Sequence, residues 1–150
     1  MTDTTLHQRL GSTLLNTVSD AIIYADGDGI IRFWNPGAEH LFGHTAADAE
    51  GQSLDLIIPE PQRARHWEGF DRVMATGQTR YGAGDILAVP ALRKDGTRIS
   101  IEFTIVPLHD AAGRMDGMIA ILHDVTKRFE ETRALRRELA TLKQAPPAGC

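Results

Sequence analysis

Apolar and polar positions change their period several times along this chain, and each change marks an element. Leu6, Leu10, Leu14 and Val18 recur at the spacing of an amphipathic helix, weakened at Gly11. Residues 21–35, AIIYADGDGIIRFWN, place two β-branched and aromatic runs on either side of a Gly/Asp cluster. That pattern predicts a hairpin turning near Asp26–Gly29. Asn35-Pro36 ends the second strand. Pro36 suits the first helical position with Asn35 as its cap, Ala38, Leu41 and Phe42 form a short apolar face, and Gly43 stops it. Thr45–Glu50 and Ser53–Ile58 read as single-turn helices capped by Thr45 and Ser53. From Glu60 the pattern lengthens. His66, Phe70, Val73 and Met74 fall on one helical face, Arg63, Arg65, Glu68 and Asp71 lie mostly elsewhere, and Gly77 closes the helix.

The second half shifts towards strands. Residues 79–92 carry strand formers, Gly82 and Gly84, and a Pro90 that only an edge strand or a bulge accommodates. Lys94-Asp95-Gly96 is a turn. Residues 98–108, RISIEFTIVPL, alternate cleanly: Ile99, Ile101, Phe103 and Ile105 on one face, Arg98, Ser100, Glu102 and Thr104 on the other. After a turn at 109–114, residues 115–125 form the last strand. About five strands, joined by hairpins and interrupted by a helical block, predict an α+β fold with one antiparallel sheet. A final helix spans 126–143. Along it Val125, Arg128, Thr132, Leu135, Leu139 and Leu142 trace a heptad-type seam. The reading divides the chain into an N-terminal helix (1–18), a domain (19–126), a C-terminal coiled-coil-type helix (127–143) and a disordered tail (144–150).

Composition narrows the function. The 150 residues suit one domain with a core, and the net charge of -4 argues against a nucleic-acid surface. No apolar run reaches the roughly 18–20 residues of a membrane span, and the N-terminus does not read as a signal peptide. Cys150 is the sole cysteine, which excludes an internal disulfide and a thiolate metal cage and fits a cytoplasmic location. No nucleophile–base arrangement, phosphate-cradling loop or carboxylate pair argues for an enzyme. Asp26-Gly-Asp28-Gly lacks the distant glutamate of a calcium loop. His40 and His44 have metal-like spacing, but Gly43 ends the helix between them and they read as surface residues. Trp34 and Trp67 fit core packing as well as stacking on a cofactor. His66 differs from the other histidines: on an apolar stripe, its imidazole is either a satisfied core group or a ligand.

The order of elements resembles a PAS domain (Per-Arnt-Sim sensory module) over about residues 13–126. The carriers are VSDAIIYADGDGIIRFWNPGAEHLFG, DAEGQSLDLIIP, RKDGTRISIEFTI and the closing HDVTKR. The resemblance implies a PAS fold: a five-stranded antiparallel sheet, helices over one face around a small-molecule pocket, and a C-terminal signalling helix. Such helices usually pair in parallel dimers. Ile58 to His66, IPEPQRARH, is further similar to the P-E-P-x-R-x-R-H run in the haem-binding PAS domain of FixL-type oxygen-sensor histidine kinases. This implies haem b ligated by His66, propionates held by Arg72 and Arg80, and apolar contacts from Phe70, Leu87, Phe103, Ile105 and Ile119. The family's distal arginine has no counterpart, since Asp85 or Ile86 falls at that position, so oxygen stabilisation should differ. Covalent flavin photochemistry is excluded, because no cysteine precedes Cys150. Two functions follow. One is a haem-dependent gas or redox sensor signalling through a homodimer of the N- and C-terminal helices. The other is a dimerisation module whose pocket is empty or holds another ligand. Any kinase or other output domain would lie outside this chain.

Overall fold

The protein is described by a computed structural model covering residues 2–77 and 88–144. Its elements run α1 (Thr2–Leu15), β1 (Ala21–Asp26), β2 (Ile31–Trp34), α2 (Pro36–Phe42), α3 (Ala46–Ala49), a 3-10 turn (Leu54–Ile57), α4 (Glu60–Thr76), β3 (Val89–Leu92), β4 (Arg98–His109), β5 (Met115–Asp124) and α5 (Thr126–Gln144). The expected strand in residues 79–92 appears as β3. Its earlier part, with Gly82, Gly84, Asp85 and Ile86, lies outside the described residues, as does the tail at 145–150.

Five strands form one antiparallel sheet in the order β2-β1-β5-β4-β3. The α+β class and the single antiparallel sheet are as the periodicity predicts. β1 and β5 lie together at the centre, bringing the first strand of the chain against its last. Pro90 sits on edge strand β3, where a missing N–H does least harm.

Register fixes which residues share a face. Phe103 pairs with Leu122, Ile105 with Ala120, Ala21 with Leu122, and Ile23 with both Ala120 and Trp34. These side chains form the inner face. All of them except Ile105 join Ile31, Ala91, Ile99 and Ile101 in the core packed against Ala38, Phe42, Ala49 and Ile57 from the helical block. The helix stops behave as the residue types require. Gly43 and Gly77 close α2 and α4 at φ 83° and 70°, in the left-handed region that an L side chain adopts at a cost.

The terminal helices stand apart from this core. Leu6, Leu10, Leu14 and Val18 of the N-terminal segment are at least half exposed, and α5 buries no residue. The root of α5 is nevertheless firmly set. Val125 N donates to Ser100 O at 2.8 Å, Ser100 N donates to Thr126 Oγ1 at 2.9 Å, and Thr126 N donates to Asp124 Oδ1 at 2.9 Å.

Candidate functional site

Helix α4 starts from a Pro-rich entry. Pro59 holds the extended backbone that precedes a helix, without a side-chain cap, and Pro61 occupies the first turn. Arg63 supplies the missing anchorage. Its Nε donates to Ile58 O at 3.0 Å, and its guanidinium stands 4.0 Å from the Asp55 carboxylate. One turn on, Trp67 Nε1 donates to Asp55 Oδ1 at 2.7 Å. The indole lies over Gly29, at φ 77°, so closely that a Cβ there would collide with the ring. Met74 approaches Gly27 in the same turn. The β1–β2 turn and the 3-10 turn therefore fix how α4 is rotated. Trp67 serves as this anchor rather than as a platform for a cofactor.

That rotation leaves His66 half-buried within an aromatic group. Its ring lies 4.8 Å from Trp67, edge-on at 76°, and 6.1 Å from Phe70. Phe70 is buried. His66 Nδ1 is inaccessible to solvent and has no hydrogen-bond partner, and the same holds for Gln62 Oε1 one turn earlier. Buried polar atoms are normally paired, so two orphans on one helix are unusual. Burial lowers the His66 pKa, with the Asp55 charge opposing it less strongly. The imidazole is thus held neutral near pH 7, the state in which a ring nitrogen can coordinate a metal. Gln62 escaped the sequence reading, although its position four residues before His66 was a usable signal.

The other expected site residues divide into four groups. Phe103 and Ile105 lie half-buried on the inner face of the sheet. Arg72 is exposed and pairs with Glu68 at 3.5 Å, one helical turn away. Arg80 and Leu87 lie outside the described residues. Ile119 requires a correction. It pairs with Tyr24 and Val106, on the outer face, opposite to Phe103 and Ile105. Strand alternation within β5 put it there, because Ala120 and Met118 are the inward positions.

Were a haem held here, His66 would be the residue to present an imidazole to it, half-buried, with an unpartnered Nδ1 and with burial favouring its neutral form. Among the described residues no group of three or more His, Cys, Asp or Glu could hold a bare metal ion. No described helix is long and apolar enough to cross a membrane.

The chain matches the family described as PAS fold over residues 15–130. It is 33% identical over 133 residues to the sensor protein FixL of Bradyrhizobium diazoefficiens, covering 85% of this chain and 24% of FixL. It is 27% identical over 118 residues to the oxygen sensor protein DosP of Escherichia coli, covering 77% of this chain and 14% of DosP. The chain therefore spans a quarter or less of these relatives. Among solved structures, the PAS domain of a Colwellia psychrerythraea protein aligns with a TM-score of 0.69 at 27% identity, covering 82% of this chain and 98% of that one.

Proposed function

This chain belongs to the PAS-fold family of sensory modules, and from that premise we propose that it binds haem b through His66 and senses a diatomic gas or a redox change. The observation that carries the reading is the half-buried imidazole of His66, whose inaccessible Nδ1 has no partner, ending a P-E-P-x-R-x-R-H run on α4. When bound, the haem would supply an iron centre able to take a gas ligand or change oxidation state. The chain's own residues do the remainder. His66 presents a neutral ring nitrogen. Arg72 and Arg80 provide positive charge for the propionates, and Phe70, Phe103, Ile105 and Leu87 supply apolar surface. Ile119, facing the other way, drops out of the set.

Signal would leave through α5, whose root is hydrogen-bonded to β4 at Ser100, within a homodimer of the N- and C-terminal helices. The likeness to an oxygen sensor and to FixL supports the sensory role. Reconstituting the purified chain with haemin tests the reading. The expected result is a sharp Soret band that His66→Ala abolishes or shifts. A spectrum indistinguishable from free haemin, or one indifferent to His66→Ala, rejects it.

A second reading has its own support in the exposed Leu135, Leu139 and Leu142 of α5. It is a PAS module that dimerises and relays signal without haem. Under it His66→Ala leaves both the spectrum and the dimer unchanged.

A further inference from the structure

The seam on α5 is flanked by charges that follow a pattern of their own. Val125, Arg128, Thr132, Leu135, Leu139 and Leu142 are spaced 3, 4, 3, 4, 3. In heptad terms this makes Val125, Thr132 and Leu139 the a positions and Arg128, Leu135 and Leu142 the d positions. The residues just before each a, the g positions, are Asp124, Glu131 and Glu138, all acidic. Those just after each d, the e positions, are Phe129, Arg136 and Lys143. Beyond Thr132 the flanks are therefore purely acidic on one side and purely basic on the other. Glu131, Arg136, Glu138 and Lys143 are exposed, and none of them is in an ion pair among the described residues.

In a parallel, in-register pair of helices, a g residue meets the e residue of the following heptad on the other helix. Glu131 then faces the partner's Arg136, and Glu138 faces the partner's Lys143. With the two reciprocal contacts, the pair holds four attractions and no repulsion. A slip of one heptad keeps only two of them, because Phe129 and positions beyond α5 take the other places. An antiparallel pair sets glutamate against glutamate and cation against cation. Apolar burial is non-directional, so the charges carry the discrimination. The root of the helix agrees with this. Two Arg128 side chains would meet across the axis of a parallel pair, but each is drawn back to Glu102 of its own β4. Val125 is buried within the protomer, so pairing starts at Thr132.

We propose that Glu131, Arg136, Glu138 and Lys143 are the specificity-determining residues of α5, which select a second copy of this chain in register and reject helices with another charge pattern. This rests on the homodimer described above and is independent of haem. Exposed ion pairs are individually weak, so these four residues set the choice of partner and register more than the strength of association.

Sedimentation velocity of the whole chain with two charge-reversed variants tests this. Glu131→Lys/Glu138→Lys makes all four positions cationic, and Arg136→Glu/Lys143→Glu makes all four anionic. Each variant alone should dimerise at least about tenfold more weakly than the wild type, because every attraction becomes a repulsion. An equimolar mixture of the two should regain wild-type dimerisation, since the cations of one copy then face the anions of the other. None of the four residues belongs to the core, so both variants should keep the wild-type circular dichroism. Variants that dimerise alone as well as the wild type overturn the proposal while the homodimer stands, formed elsewhere or with antiparallel helices. A mixture that stays monomeric overturns it too. A monomeric wild type removes the homodimer and the charge pattern's role together.

Discussion

The side-chain amide of Asn35 uses all of its hydrogen-bonding capacity inside the protein. Its Oδ1 accepts from Ile22 N at 2.8 Å and from Ala38 N at 2.9 Å, while Nδ2 donates to Thr17 O at 3.1 Å and Asp20 O at 3.0 Å. One residue therefore caps α2, secures the start of β1 and ties down the segment arriving from α1. It is 1% exposed, so water cannot replace these partners. Asn35→Ala should cost about 2–4 kcal/mol, combining a lost cap with orphaned buried backbone groups, as measured by urea unfolding. Only part of this was legible in the sequence. Asn before Pro announces a helix cap, and the cap is there. The other three bonds join residues 13 to 18 positions apart, and no local pattern encodes such contacts.

At the scale of elements, α4 shows most clearly what periodicity can and cannot supply. The spacing of His66, Phe70, Val73 and Met74 predicts both the helix and its apolar stripe, and α4 runs from Glu60 to Thr76. What orients that stripe is Trp67, resting on Gly29 and bonded to Asp55, and this depends on a turn 38 residues earlier in the chain. Ile119 illustrates the same limit on the sheet. A strand of apolar residues on both faces, such as β5, does not reveal its inward register by itself. The Trp67 anchor makes a specific prediction. Gly29→Ala introduces a Cβ at positive φ and against the indole, and should destabilise by about 2–4 kcal/mol. Trp67→Leu alone loses the hydrogen bond and ring packing. In the double variant the collision is gone, so its cost should fall short of the sum by about 1–3 kcal/mol. Strictly additive costs in a double-mutant cycle by chemical denaturation would show that the two groups do not meet.

For the whole molecule, the exposed large apolar side chains lie on the terminal helices and on the outer face of the sheet. Leu135, Leu139 and Leu142 on α5 are 65%, 53% and 67% exposed, and Val106 and Leu108 on the outer sheet face are 41% and 39% exposed. The seam that begins at Val125 is not uniform. Val125 is buried and Arg128 pairs with Glu102, so the first part of the seam is engaged within the protomer and the leucines beyond Thr132 remain for a partner. Roughly two heptads make a weak coiled coil alone. A stable homodimer would thus need the N-terminal helix, with Leu6, Leu10 and Leu14, to bury surface at the same time. If the proposed homodimer forms through α5, Leu135→Asp/Leu139→Asp should convert it to a monomer in sedimentation velocity without unfolding the domain, because neither residue contributes to the core. His66→Ala should leave the dimer intact, since the ring lies on α4, away from the seam. If the aspartate variant stays dimeric while Leu10→Asp/Leu14→Asp dissociates, the N-terminal helix alone forms the interface. In that case α5 would transmit from its anchored root at Ser100 and Thr126, without the partner subunit's help.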